Sequence, residues 1–448
     1  MNRPLPKPCY ALICGAVIAM VGMIAGSTSR AATPLDPASI AAPSIPDRTF
    51  DITKFGAVGD GKTINTDAFK KAVDTCKSAG GGTVRVPKGD FVTGPFQFVS
   101  NMNLHLEHGA SLRLAADAKL YRVSRVELYP GKEDESFENC IQADKCSDIS
   151  ITGEGTIDGH GEYWWTNWDV RRPTPENPAK THRPHLIVFN DCTRVLVRDV
   201  TMINSPMFHL IPRRCRDVRI EGVKITAPPT SHNTDGIDPS GWNIYIANCT
   251  IDCGDDIIVF KPDYPGPNGE PAVDNALVEN ITALHGHGIS VGGQTRGGLR
   301  NLVVRNCTFD GTTEGIRLKA SVGEGGLVED VLFENLSMKN VRESIVFTSW
   351  YHKPITTPTT APAEVSEHVP MWRNIIVRNL KSQGGRLAGR VWGLANVPIE
   401  NVTFENVNIE AEVPLDITFA KGLTFKNSSV PISAGMHVRL PTTRPARQ

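Results

Sequence analysis

Along most of the chain one alternation recurs: apolar, any, apolar, any, then Asn, Gly or Asp, then apolar. It reads Val195-x-Val197-x-Asp199-Val200, Val218-x-Ile220-x-Gly222-Val223, Ile244-x-Ile246-x-Asn248-Cys249, Ala276-x-Val278-x-Asn280-Ile281 and Leu302-x-Val304-x-Asn306-Cys307, and continues with Asn335, Asn379, Asn406 and Asn427 in the same fifth position. That position always holds one of the three residue types that tolerate a left-handed backbone, so each unit predicts a short strand, a sharp bend and a second strand. Units begin 21 to 44 residues apart, as coils of a solenoid with loops of variable length would. One coil cannot bury its inward face alone. Stacked coils pair their strands about 4.8 Å apart and bury a continuous apolar column, and the bend asparagines can then hydrogen-bond along the stack. Val84-x-Val86, Leu104-x-Leu106 and Ile149-x-Ile151 look like earlier, less regular coils. The pattern predicts an all-β, single-stranded parallel β-helix (solenoid) of about ten or more coils. One helix is expected, Ala68 to Lys77, with Phe69, Ala72, Val73 and Cys76 on one face and Asn65 or Thr66 as its cap. At the N-terminal side it would cover the open end of the solenoid.

Composition changes this picture only at the margins. The 448 residues are 40% hydrophobic and 21% charged, with 40 Gly and 32 Pro, which excludes a disordered chain and a bundle of membrane spans. Length alone would suggest two or three domains, but the repeat makes residues 47–440 one β-helix domain, with 441–448 a disordered tail. Arg3 and Lys7, an apolar run from Tyr10 to Gly26 and then Ser29-Arg30-Ala31 predict a secretory signal at 1–31, cut after Ala31. The product would be secreted or periplasmic. Without that segment the net charge is about −4, with no basic excess for nucleic acid and no later apolar stretch for a membrane. Eight cysteines remain; Cys140 with Cys146 and Cys249 with Cys253 are local disulfide candidates, and buried thiols are the alternative. Cys192 and Cys215 are expected on adjacent rungs.

Gly56-Ala-Val-Gly-Asp-Gly61-Lys62-Thr63 matches a phosphate-binding loop in full. The helix signal comes three or four residues after the lysine, however, so the amide groups would not converge on a phosphate. A glycine-rich turn leading to the cap helix is the expected structure.

Four segments align on an isoleucine: Asn233-Thr234-Asp235-Gly236-Ile237, Cys253-Gly254-Asp255-Asp256-Ile257, Gly286-His287-Gly288-Ile289 and Glu314-Gly315-Ile316-Arg317-Leu318-Lys319. In this alignment Asp235, Asp255, His287 and Glu314 share a column, and Arg317 and Lys319 share one strand face. Like charges on adjacent rungs raise at least one carboxyl pKa, as a general acid requires. Asp255 and Asp256 are consecutive, so both reach one site only if the backbone turns or bulges there, which Gly254 allows. Paired carboxylates with no metal motif and no nucleophile–base pair suit glycoside hydrolysis. The two cations beside them suggest a substrate with its own carboxylates.

These segments resemble the four signature motifs of the polygalacturonases, glycoside hydrolase family 28: Asn233-Thr234-Asp235, Gly254-Asp255-Asp256, Gly286-His287-Gly288 and Arg317-Leu318-Lys319, with Leu318 in place of the usual isoleucine. The stretch from Phe55 to Gly94 also resembles the opening of bacterial and plant members. The resemblance implies a right-handed β-helix and inversion of configuration without metal or other cofactor, on a pectic polysaccharide such as polygalacturonate. It assigns Asp255 as general acid, Asp235 and Asp256 to the attacking water, and His287 to the acid's protonation. Arg317 and Lys319 would bind galacturonate carboxylates, Tyr351 would contact substrate and Asn233 would position it. A monomer is expected. The competing functions are hydrolysis of a decorated pectin (xylogalacturonan or rhamnogalacturonan), a calcium-dependent pectate lyase and a non-catalytic polysaccharide-binding β-helix.

Smaller features remain. Tyr163-Trp164-Trp165-x-x-Trp168, followed by Arg171 and Arg172, either stacks on sugars or anchors its loop. The sequons at Asn248, Asn280 and Asn306 coincide with the bends, so a structural role is expected there. Pro354 to Pro362 predicts a surface loop.

Overall fold

A computed structural model describes residues 32–129, 131–168, 174–175, 177, 180–351 and 367–433. The expected signal segment, Arg171 and Arg172, the Pro354 to Pro362 loop and the C-terminal tail lie outside the described residues. The chain winds as a right-handed parallel β-helix with three strand faces. On the first face the inward residues Val195, Val218, Ile244, Ala276, Leu302, Val331, Ile375 and Val402 pair rung to rung and are buried. The second face includes Lys224–Thr226, Thr250–Asp252 and Thr308–Asp310. The third includes Ile187–Asn190, Leu210–Arg213, Ile258–Phe260, Ile289–Gly293 and Glu314–Ala320.

The predicted bends are left-handed at Asp199, Gly222, Asn248, Asn280, Asn306, Asn335, Asn379, Asn406 and Asn427, with φ between 47° and 65°. The ladder is present: Asn280 donates to Asn248 at 3.0 Å, Asn335 to Asn306 at 3.0 Å, Asn379 to Asn335 at 2.9 Å and Asn406 to Asn379 at 3.0 Å. A second ladder, not anticipated, stands just before each first-face strand core. Asn243 donates to Asp217 at 2.8 Å, Asn275 to Asn243 at 2.9 Å and Asn301 to Asn275 at 3.1 Å, and these residues too have positive φ. Outward-facing Tyr245, Leu277, Val303, Leu332 and Ile376 form an apolar stripe covered by Ala32, Leu35 and Ile40.

The cap helix α1 runs Thr66–Ser78 and buries Phe69, Ala72, Val73 and Cys76 as expected. Its capping differs. Asn65 holds the cap position but its side chain turns to the preceding loop, accepting from Val58 N at 2.7 Å and donating to Thr63 O at 2.8 Å. In the glycine-rich turn, the Asp60 carboxylate accepts from the amides of Lys62 at 2.9 Å and Thr63 at 2.8 Å. A phosphate would need those same donors, so the loop motif carries no nucleotide chemistry.

All eight cysteines described are buried and free, so neither local disulfide candidate is formed. Pairing of Thr193 with Arg216 sets Cys192 beside Cys215 on adjacent rungs. The aromatic segment forms a short helix, α2 (Gly161–Asn167), whose Trp164 is fully buried against Tyr121, Phe137 and Trp168. These rings anchor the loop. An antiparallel hairpin, Val123–Tyr129 with Lys132–Phe137, projects between the second and third faces. It escaped the repeat search because its alternating residues Arg125, Glu127, Glu133 and Glu135 are charged.

Candidate active site

The third face carries the chemistry. Bridges pair Leu210 with Ile237 and Ile237 with Ile258, strand pairing continues from Ile258 to Ile289, and from Ile289 to Ile316. This shifts the second segment by one residue relative to the alignment on Ile257. The column is therefore Asp235, Asp256, His287 and Glu314, and Asp255 stands one residue outside it. The reason is the backbone at Gly254 and Asp255, which bends instead of pairing. A Cβ on Gly254 would lie 2.0 Å from Ser231 O, so only glycine allows the close passage. The Cys253 thiol lies 3.4 Å from Asp255 O, on the inner side of the bend. The bend turns both consecutive aspartates to one side, into a cleft of about 880 Å³ that Asn233, Asp235, Lys261, Lys319 and Tyr351 also line.

Each carboxylate has a different environment. Asp255 accepts from the backbone amides of Asp256 at 2.9 Å and Asn233 at 3.2 Å, and contacts His287 Nδ1 at 3.1 Å. Burial pushes its pKa upward, but the His287 hydrogen bond and charge win and hold it well below the usual carboxylate range. Asn233 sits at φ 56°, which aims its amide at Asp255. Asp256 accepts from Ser290 at 2.8 Å, Arg317 at 2.8 Å and Lys319 at 2.6 Å. Burial again opposes ionisation, and the two cations overcome it. Asp235 is the converse: burial raises its pKa well above the ordinary value although Lys261 approaches Oδ2 at 3.3 Å. Its Oδ1 has no partner among the described residues. His287 is raised, since Asp255 outweighs its burial. The site thus sets Asp255 and Asp256, whose pKa values are lowered, beside Asp235, whose pKa is raised.

Arg317 and Lys319 share a strand face as expected, and both meet Asp256. Lys319 Nζ also sits 5.0 Å from the Tyr351 ring centroid, and the pair lines the cleft. Arg317 lies behind Asp256 and donates to His287 O at 3.4 Å. Sequence reasoning missed Lys261 and Asp238. Lys261 pairs with Asp238 at 2.6 Å and lies 3.8 Å from the Phe208 ring centroid. Burial raises Asp238 to about 6. The available signal was Asp238 three residues after Asp235 and Lys261 five after Asp256, just beyond the motifs already singled out.

Oxygen and nitrogen atoms of Asp255, Asp256 and His287 lie within 4.8 Å of one another. Distance alone would admit a cation, but Lys319, Arg317 and Ser290 already occupy Asp256, and Asp255 occupies His287 Nδ1. These residues do not fit a divalent ion without losing their ammonium and guanidinium partners.

A family model described as "Glycosyl hydrolases family 28" matches residues 76–428. The chain is 28% identical over 401 residues to a probable polygalacturonase of Vitis vinifera, covering 85% of this chain and 79% of the relative. It is 31% identical over 366 residues to an endo-polygalacturonase of Pectobacterium carotovorum subsp. carotovorum, covering 78% and 84% respectively. The solved structure of an exopolygalacturonase from Thermotoga maritima matches with a TM-score of 0.75 at 30% identity, over 87% of this chain and 94% of that one.

Proposed function

The chain belongs to the glycosyl hydrolases family 28, and we propose that it is exported and hydrolyses α-1,4-galacturonosidic bonds of polygalacturonate with inversion of configuration. The observation that carries this reading is the bend at Gly254-Asp255. It delivers two ionised aspartates to one cleft, one against His287 and the other against Arg317 and Lys319.

In this reading Asp255 is the acid, and Asp235 and Asp256 act on the attacking water. The bound polymer brings a carboxylate on every sugar, and that negative charge raises the Asp255 pKa. The proton shared with His287 Nδ1 then moves to Asp255 and on to the leaving glycosidic oxygen. Water attacks the anomeric carbon, guided by Asp256, and Asp235 in its ionised form takes the water's proton. Lys319, with Tyr351 beside it, grips a galacturonate carboxylate from the cleft wall. Arg317 acts from behind, as counter-ion to Asp256, and Asn233 fixes Asp255.

The relatives include both an endo- and an exo-acting enzyme, so the mode of attack rests on this chain's own cleft. Incubation with polygalacturonate in the presence of a chelator tests the reading. New reducing ends without ultraviolet-absorbing products are expected. Absorbing products would mean a lyase, and no new ends at all would mean a different substrate or a binding protein.

A further inference from the structure

The hairpin that interrupts the coils stands on the same side as the catalytic aspartates. Arg122, Ser124, Val126 and Glu127 from its first strand and base, with Phe137 and Glu138 from the second, line the cavity that Asp235, Asp255 and Asp256 line. The hairpin is held firmly at its root. Glu138 N donates to Arg122 O at 2.8 Å, Phe137 N to His182 O at 3.0 Å, and His182 N to Glu135 O at 2.8 Å. Phe137 is buried, with its ring 5.1 Å from Trp164 and 4.7 Å from Trp168. Buried Trp164 of α2 and half-buried Trp168 just after it thus serve as the footing of this hairpin.

Its first strand reaches across to the catalytic coil. Glu127 and Tyr264 both line the cleft, and beside burial the Glu127 carboxylate pushes the Tyr264 hydroxyl pKa up; Tyr264 follows Lys261 at the end of the strand Ile258–Phe260. On the third face the rungs from the hairpin's coil to that strand are Ile141, Ile187, Leu210, Ile237 and Ile258. The arch from the hairpin's coil to Tyr264 therefore spans four rung spacings, about 19 Å. Gln142, Val188, Asn190 and Arg213 form the floor beneath it. A polymer laid along an open solenoid groove would have to continue over these rungs, which the hairpin and Tyr264 flank. Within this roofed section Arg213 makes no ion pair among the described residues and is available to a sugar carboxylate.

We infer that the cleft is closed on the side of the N-terminal coils, so that it seats one end of a galacturonan chain and the enzyme cuts from that end. The inference rests on the substrate reading above and adds the mode of attack to it. Binding tests it independently of turnover. With Asp255→Asn, calorimetric titration of size-fractionated polygalacturonate should saturate at one protein per polymer chain whatever its length. Stoichiometry that grows with length would overturn the inference and leave the substrate reading intact, whereas no binding to any galacturonan would overturn both. With the native site, the shortest product should dominate from the first time point, with viscosity falling slowly as reducing ends accumulate. Replacing residues 124–136 by a short Gly-Ser turn, or breaking the arch with Glu127→Ala and Tyr264→Phe should the replacement not fold, should open internal cutting. The share of the shortest product would fall by at least about twofold. An unchanged product distribution in a folded arch variant would overturn the inference.

Discussion

The bend ladder and the acidic cluster are built by the same operation, one polar side chain per coil stacked on the next. At the bends the stacked group is a neutral amide that donates to one neighbour and accepts from the other, as Asn335 does between Asn306 and Asn379. Each copy completes the next, and the column is satisfied by repetition. On the third face the stacked groups are Asp235, Asp256, His287 and Glu314. Carboxylates cannot complete one another in this way, so each takes partners from elsewhere: Asp256 from Arg317 and Lys319, Asp235 from Lys261. The same geometry yields inert stability where the side chain complements its own copy. Where it does not, it yields perturbed protonation.

The largest break in that contrast is Asp255→Asn. It removes the acid without removing a packing contact, so turnover should fall by about 10²–10⁴-fold while the unfolding midpoint in urea stays near that of the parent. Near-parental activity would place the acid elsewhere. Lys319→Met tests the cross-rung counter-ion. Leaving a buried carboxylate half-compensated costs about 3–5 kcal/mol when one partner of a buried pair is lost. Both turnover and the urea midpoint should drop, unlike any change at the bends.

A third measurement reads protonation directly. Asp235 must be ionised to act as base, and its pKa is raised by burial, so the rising limb of kcat/KM against pH should lie above the ordinary aspartate value. The Asp255–His287 pair must keep a proton, and His287 is raised, so the falling limb should lie above the ordinary histidine value. Lys261→Met removes the cation that lowers Asp235. It should move the rising limb to higher pH, with about tenfold or more lost activity on its acid side and little change on the falling limb. The smallest effect is expected from Asn335→Gly. It keeps the left-handed bend and deletes two ladder hydrogen bonds, costing about 1–2 kcal/mol by urea unfolding with kcat/KM unchanged.

Both the ladder and the cluster were legible because they fall in short motifs at coil spacing. The left-handed positions at Asn248 or Asn379 follow from the repeat alone, and so do the identities of the acidic residues and of Arg317 and Lys319. The second ladder was missed because Asp217, Asn243 and Asn275 precede the apolar pair that defined the repeat. The hairpin was missed because its alternation is charged. Lys261 was missed because its partners, Asp235 and Asp238, are distant in sequence and meet it only through rung pairing.

By itself, the sequence determined the solenoid, since an apolar alternation ending in a left-handed residue has one way to bury its inward faces, by stacking on its own repeats. It also determined which residues carry charge near the cleft. Only the tertiary structure decided the register, and a one-residue displacement at Gly254 placed Asp256, not Asp255, in the column. It also decided which carboxylate has its pKa raised and which lowered, because that depends on burial and on cations brought from other coils. Local sequence does not encode either quantity.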